Sequence, residues 1–260
     1  GEYAVSGGRD GTIKVWDLTR RQLLRAYSGH RARIDALTFT PDGNRLISSG
    51  DNEIKIWDVK TGDLQMEMKN DNSRWANVLT LDPSGRFLIS SNAEKIIVWD
   101  LTSGKTYKVL TGHEGFVYAL AVDNSGRYLI SGANDNTVRI WDLASGTPFR
   151  LLTGHESNIV GMVIEPQGEY LVTAEQNGAL KRWTFPEGRL MATMYSLSDA
   201  SITMTPEGYF NGEGNYQKYI KFVDSRLNHY EFDQFARAFY RPEIVQAALG
   251  GQKIVTQETL

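Results

Sequence analysis

The sequence predicts an all-β protein built from repeated small sheets, and three observations support this prediction. Tryptophans recur at spacings of 41, 42, 42 and 42 residues, at Trp16, Trp57, Trp99, Trp141 and Trp183. Each ends a short segment in which apolar and polar residues alternate, as along a half-buried strand. Turns rich in glycine, asparagine and aspartate separate the segments. Short strands repeating about every 41 residues are typical of a β-propeller, in which each repeat forms one blade.

Two strands and a tight turn can be placed in each repeat. The strands that end at the tryptophans are Thr12–Trp16, Glu53–Trp57, Ile96–Trp99, Thr137–Trp141 and Ala179–Trp183. The turn upstream is Thr40-Pro41-Asp42-Gly43 in one repeat, and equivalent turns begin at Asp82, Asp123 and Glu165. Proline, aspartate and glycine favour tight-turn backbone angles at these positions. A Gly-His pair comes before the turn in three repeats, at His30, His113 and His155.

This order of Gly-His, two strands joined by a turn, and Trp-Asp resembles the WD40 repeat family over roughly residues 1 to 232. Members of that family form β-propellers with four-stranded blades. The resemblance implies a WD40-type propeller domain over 1–232, followed by a helical junction or tail over 233–260.

Both ends of the repeat region depart from the pattern. The chain enters in the middle of a repeat, without the innermost strand, so either it is a fragment of a longer chain or another segment supplies that strand; we favour a fragment. At the other end, Thr205-Pro206-Glu207-Gly208 and Ile220–Asp224 form a degenerate sixth repeat, with Val223 in the tryptophan position. Seven blades are common in the family, so one further unit upstream would complete a ring.

Three repeats contain a histidine, a hydroxyl side chain and an aspartate or asparagine, which are side-chain types of a hydrolase triad, together with the tryptophan. We interpret them as structural, because they recur and because an indole N–H occupies the hydroxyl. In the WD40 family such residues form a buried hydrogen-bond chain, which the resemblance implies here. The three sets are His30, Ser48, Asp51 and Trp57; His113, Ser131, Asp135 and Trp141; and His155, Thr173, Asn177 and Trp183. The third repeat has Ala93 in the aspartate position, so we expect it to be the loosest internal blade.

Composition narrows the classes of function. Cysteine is absent and only four histidines are present, which excludes thiolate metal sites and cysteine nucleophiles. The formal net charge of −3 gives no prior for nucleic acid or an anionic membrane. No secretory signal and no long apolar run is present, so we expect a cytoplasmic protein. The residue types imply no metal and no cofactor.

Residues that vary between repeats and lie on loops are the candidates for partner binding. The position three residues after His opens the innermost strand, on the narrow top surface of the propellers that this chain resembles. The candidate residues are Arg33, Asp35, Trp75, Asn77, Phe116, Tyr118, Asn158, Arg9 and Asn134. Aromatic residues dominate interface hot spots, which favours a protein or peptide partner. The alternative is that these aromatics plug the channel or pack between blades.

A second candidate surface is the arginine cluster Arg20, Arg21, Arg25, Arg31 and Arg33. It could bind an acidic partner or a phosphate, although a solvated strand face is the commoner explanation.

Helical spacing replaces alternation from Asp233 onward. We expect Asp233 to cap a first helix, and Pro242 and Gly250 to begin and end a second. The stretch from Thr205–Phe210 through Phe239–Val245 resembles the junction in bacterial proteins that carry WD40 repeats ahead of a caspase-like peptidase domain. The repeats and the candidate binding residues make a non-catalytic interaction scaffold the leading hypothesis. The alternative is a sensor region that regulates, within its own chain, a C-terminal effector such as a caspase-like peptidase.

Overall fold

The computed structural model describes residues 3–50, 52–69, 78–220, 222–223, 229–230 and 232–254. These residues are mostly in antiparallel strands, and the α-helices lie near the C-terminal end. The chain forms two compact units, Gly1–Gly161 and Met162–Leu260. The predicted all-β fold with blade-like sheets is confirmed. The predicted division at residue 232 differs from that between the compact units, and it stays a prediction.

The first unit contains four antiparallel sheets, each formed by strands that follow one another along the chain. The first sheet has three strands, β1 (Tyr3–Gly7), β2 (Ile13–Asp17) and β3 (Gln22–Tyr27). The second has β4 (Ile34–Phe39), β5 (Arg45–Gly50), β6 (Glu53–Asp58) and β7 (Leu64–Lys69). The third has β8 (Leu79–Leu81), β9 (Phe87–Asn92), β10 (Lys95–Asp100) and β11 (Lys105–Leu110). The fourth has β12 (Val117–Val122), β13 (Tyr128–Ala133), β14 (Val138–Asp142) and β15 (Thr147–Leu152).

The cores of this unit lie between consecutive sheets. Ile13 and Val15 of the first sheet pack with Leu46 and Trp57 of the second. The same arrangement joins the second sheet to the third, and the third to the fourth. Alternation explains this packing, because every second residue of a strand points to the same face. The tryptophans Trp57, Trp99 and Trp141 therefore fill the space against the preceding sheet.

The second unit begins within β16 (Ile159–Ile164), the first strand of a six-stranded sheet. The next strands are β17 (Tyr170–Glu175), β18 (Ala179–Thr184) and β19 (Leu190–Ser196). The degenerate sixth repeat differs from the others, because its strands continue this sheet. β20 (Ala200–Met204) pairs with β19, and β21 (Phe210–Gly214) pairs with β20. Val223 does lie in a strand, but β22 (Phe222–Val223) has only two residues and pairs with β23 (His229–Tyr230).

Two short helices follow, α1 (Phe232–Phe239) and α2 (Pro242–Leu249). The predicted ends of α2 at Pro242 and Gly250 are confirmed. The predicted cap of α1 is wrong, because Asp233 lies inside the first turn. The helix begins one residue earlier, where Phe232 packs edge-on against Phe210 with ring centroids 6.0 Å apart. Neither of these helices is long and apolar enough to cross a lipid bilayer.

Candidate functional site

The fourth sheet holds a complete buried hydrogen-bond chain. His113 Nδ1 lies 2.8 Å from Asp135 Oδ2, and His113 Nε2 lies 2.7 Å from Ser131 Oγ. Trp141 Nε1 donates to the same Ser131 oxygen at 2.8 Å. Because the carboxylate accepts only, we assign the proton to Nδ1, so Ser131 donates to Nε2 and accepts from the indole. The hydroxyl of Ser131, which is fully buried, is thereby held by partners on both sides.

Parts of the same chain recur in the other sheets. His30 Nε2 lies 2.7 Å from Ser48 Oγ, which accepts from Trp57 Nε1 at 2.8 Å, while Asp51 lies outside the described residues. In the fifth repeat Trp183 donates to Thr173 at 3.1 Å. Asn177 Oδ1 accepts from the backbone N–H of Ala179, and His155 is buried. The remaining tryptophan-to-serine bonds, each 2.9 Å long, join Trp16 to Ser6 and Trp99 to Ser90.

Thr137 also belongs to the chain in the fourth sheet, and the sequence analysis did not include it. Its backbone N–H and its hydroxyl donate to Asp135 Oδ1 at 3.0 and 2.7 Å. Asp10 accepts from Thr12 in the same way. The signal was present as the shared spacing of Asp10-Gly11-Thr12 and Asp135-Asn136-Thr137.

Burial and hydrogen bonding set the protonation states of this chain. Burial lowers the pKa of His113 below its usual value, although Asp135 opposes this shift. For Asp135, burial alone would raise the pKa, but hydrogen bonds from Thr137, His113 and the backbone of Glu114 outweigh it and lower the pKa. The folded protein therefore favours a neutral imidazole next to an ionised carboxylate.

We expect the protein to lose stability when the pH falls through the range of histidine titration. The lowered pKa of His113 means that the unfolded chain binds more protons than the folded one below about pH 6.5. This contribution is fully present above that pH and is lost as the pH falls. Melting temperatures measured between about pH 7.5 and 5.5 should decrease, and less steeply in His113→Gln. An unchanged slope in the variant would show that other groups cause the effect.

The residues predicted to bind a partner fall at the starts of the inner strands. Ile34 N–H donates to Gly8 O at 3.0 Å, and Val117 N–H donates to Ala93 O at 2.9 Å. These bonds fix the first residue of β4 and of β12 against a turn of the preceding sheet. Arg33 and Phe116 each lie directly before such an anchored residue.

Phe116 and Tyr118 form an exposed aromatic pair. Their ring centroids are 6.5 Å apart with an interplanar angle of 22°, and the two residues are 40% and 38% exposed. Asn134 lies beside them, since its backbone N–H donates to Phe116 O at 3.0 Å. A Cβ at Gly115 would overlap the Asn134 amide oxygen, so a larger residue there would displace this side chain. The three side chains offer ring faces and an amide to a ligand.

The other predicted binding residues are only partly brought together. Arg33 Nε donates to Asp35 Oδ1 at 2.7 Å, which satisfies one charge with the other. Arg9 is exposed and Asn158 is half-buried at the start of β16. Trp75 and Asn77 lie outside the described residues. Among the described residues no group of three carboxylates and histidines is arranged to hold a metal ion.

The arginine cluster does not form one patch. Arg20 pairs with Asp17 at the end of β2, and Arg25 donates to Thr61 O from the middle of β3. Arg31 and Arg33 follow β3 and lie towards the opposite end of the strands. The arginines before β3 and those after it are apart because the strand runs between them.

Comparison with known proteins agrees with this architecture. The family described as WD domain, G-beta repeat matches residues 1–17, 21–58, 104–142 and 146–184, which is just over half of the chain. The chain belongs to the WD40 repeat family. The family does not match the stretch between the second and third matches, where Ala93 stands in the aspartate position of the sequence repeat.

Curated WD40-like relatives match over shorter stretches. Pre-mRNA-processing factor 17 of Saccharomyces cerevisiae is 41% identical over 26% of this chain, and the match covers 15% of that protein. Methylosome protein WDR77 of Xenopus laevis is 36% identical over 23% of this chain and 19% of its own length. The Retinoblastoma-binding protein 5 homolog of Drosophila melanogaster is 38% identical over 25% of this chain, and the match covers 14% of that protein. These relatives are eukaryotic, so they do not support the expected bacterial source or the peptidase junction.

Proposed function

We propose that this chain is a non-catalytic interaction module that binds a protein or peptide through the surface formed by Phe116, Tyr118 and Asn134. The observation that carries the proposal is the exposed, nearly parallel pair of Phe116 and Tyr118 at an anchored strand start. Aromatic side chains that remain in solvent supply large contact areas at low entropic cost when a partner covers them. We include Arg33, Asp35, Asn158 and Arg9 in the proposed surface. Trp75 and Asn77, which lie outside the described residues, stay sequence candidates.

The absence of catalysis is part of the same proposal. A substrate would need to reach the hydroxyl of Ser131, but this atom is buried and bonded to both His113 and Trp141. Ser48 is buried in the same way between His30 and Trp57. A nucleophile has to be accessible to the reacting carbon, and these two are not. The resemblance of these residues to a hydrolase triad is therefore consistent with a structural role.

The relatives favour an interaction role of this kind. The names of two of them refer to a methylosome and to binding of retinoblastoma protein. We infer from this likeness a general role in protein assembly for the present chain.

The proposal is tested by selecting twelve-residue peptides from a random library and measuring the dissociation constant of the best binder by fluorescence polarisation. Each aromatic anchor contributes about 2 kcal/mol, so Phe116→Ala with Tyr118→Ala should weaken binding at least about thirtyfold. The matched control is Tyr107→Ala with Phe149→Ala, which removes two aromatics that are similarly exposed on outer strands. Equal losses in both double variants would contradict the proposed surface.

Regulation within its own chain is the second candidate function, favoured by how the C-terminal segment is held. Val245 and Ala248 of α2 are buried, and Arg189 donates to Gly251 O at 3.3 Å. A C-terminal effector such as a caspase-like peptidase would thus be tethered at a fixed point on the second unit. In that case the Phe116 and Tyr118 changes should alter the effector's activity in the longer protein without loss of an external partner.

A further inference from the structure

An open groove lies in the first unit between the first and second sheets, away from the proposed surface. Its volume is about 610 Å³, which is in the range of ligand sites. Its apolar wall is formed by Tyr3, Val15, Leu24, Phe39 and Val59. Phe39 ends β4, whereas Arg33 precedes the start of the same strand. The groove and the Arg33 region therefore lie at opposite ends of β4.

The apolar wall is open to solvent. Tyr3 is 48% exposed and Leu24 is 47% exposed, and both residues line the groove. Exposed apolar side chains gathered in one concavity mark binding surfaces more often than scattered ones do. Leu23, next in sequence to Leu24, is equally exposed but is not among the residues that line the groove. The two leucines thus provide a matched pair for separating the groove from general surface hydrophobicity.

The groove is held in shape by hydrogen bonds around its floor. Val59 N–H donates to Asn44 O at 3.0 Å, and Tyr27 OH donates to Val59 O at 3.3 Å. Arg25 reaches Thr61 O, and its guanidinium packs where a Cβ at Gly62 would lie. Because these contacts exist before any ligand binds, little ordering of the floor is required on binding.

Positive charge accompanies the apolar wall. Arg25 and Lys60 both line the groove, and no carboxylate does so among the described lining residues. Beyond Tyr3 the surface continues into a smaller pocket of about 200 Å³ that contains Arg20 and Asp17. The two carboxylates next to lining residues already have donors. Asp58 accepts the backbone N–H groups of Lys60 and Thr61 at 2.8 and 2.9 Å, and Asp42 accepts the backbone N–H of Asn44 at 3.1 Å. The cations are therefore the charges best placed to meet a ligand.

We propose that this groove binds an extended, acidic peptide segment of a partner protein, with apolar side chains against Leu24 and Phe39 and carboxylates at Lys60 and Arg25. Extended peptides suit an open groove whose pockets lie on both sides of one ring, here that of Tyr3. Electrostatic complementarity of this kind gives specificity and a salt-dependent association rate. The groove is separate from the surface formed by Phe116, Tyr118 and Asn134. If no peptide binds the groove, the proposal for that surface is unaffected.

The test is fluorescence polarisation with a labelled twelve-residue peptide that has Leu-Ser-Leu at its centre and glutamates on both sides. Companion peptides carry lysines in place of the glutamates, or serines in place of the leucines. The glutamate peptide should bind, with weaker affinity at higher ionic strength, and both companions should bind at least about tenfold more weakly. Leu24→Ser and Lys60→Glu should each weaken its binding about tenfold, while Leu23→Ser and Phe116→Ala with Tyr118→Ala should leave it unchanged.

Four results would overturn the proposal. These are equal binding of the lysine peptide, equal loss in Leu23→Ser and Leu24→Ser, no binding at millimolar peptide, or loss in the Phe116 and Tyr118 variant. Sedimentation of the free protein gives a further check, because self-association that Leu24→Ser abolishes would assign the groove to a second copy instead. Melting temperatures of the variants, compared with the unsubstituted protein, establish that each one is folded.

Discussion

Replacing Trp141 by alanine is expected to lower the free energy of unfolding by about 4 kcal/mol, the largest effect of any single substitution at a repeat tryptophan. Trp141 is only 1% exposed and packs in the core between the third and fourth sheets. Its removal leaves a large cavity and also takes the indole donor from Ser131. Chemical denaturation monitored by circular dichroism measures the change.

Trp16 provides the matched control for this prediction. It occupies the same position in the first sheet and makes the same bond, to Ser6, but it is 37% exposed. Trp16→Ala should therefore cost clearly less than Trp141→Ala, because a side chain that stays partly in water loses less buried surface. Trp141→Phe separates the two causes, because it keeps most of the volume and removes only the N–H. Equal losses at Trp141 and Trp16 would contradict the structural role assigned to the buried chain.

The second large effect is expected at Phe210. This side chain is 1% exposed and contacts the rings of Tyr216, Phe232 and Tyr240 at centroid distances of 6.2, 6.0 and 5.6 Å. Its carbonyl also accepts from the backbone N–H of Arg241 at 2.9 Å, where α1 gives way to α2. Phe210→Ala should destabilise the second unit by about 3 to 5 kcal/mol, because an aromatic core side chain is lost.

Hydrogen exchange measures this destabilisation at individual backbone amides. Opening of the aromatic cluster should speed exchange of the amides of Arg241 and Val245, both of which are hydrogen-bonded in the folded unit. Leu180→Ala is the control, since Leu180 is 39% exposed on β18 of the same unit. If Phe210→Ala left these two amides as protected as the control does, the helical segment would not depend on the cluster.

The sequence was sufficient to place the strands that end at tryptophan. The predicted segment Glu53–Trp57 became β6, and the predicted Ala179–Trp183 became β18, each within one residue. Local chemistry explains this success, because alternation and turn residues specify these elements without reference to distant parts of the chain. The Gly-His and hydroxyl positions were also found by repetition alone.

The pairing of β20 with β19 was not predicted, because partner choice depends on contacts distant in sequence. A signal was nevertheless available in the loop lengths. Six residues separate β3 from β4, β11 from β12 and β15 from β16, whereas three separate β19 from β20. A connection that short is typical of a hairpin within one sheet.

At the candidate site, the sequence identified residue types but not their neighbours. It placed Phe116 and Tyr118 at one strand start, but it did not predict that their rings pair. It did not reveal that Asp35 neutralises Arg33 or that Gly115 makes room for Asn134. Such contacts depend on side-chain conformations and on turns of neighbouring sheets, which a repeat pattern does not encode.

Site-specific photo-crosslinking tests the central claim most directly. Benzoylphenylalanine replaces Tyr118 in one variant and the similarly exposed Tyr107 in another, and each protein is irradiated in its native host. The account predicts a discrete crosslinked partner from position 118 that position 107 does not capture. The same set of adducts from both positions would contradict a binding surface at Phe116 and Tyr118.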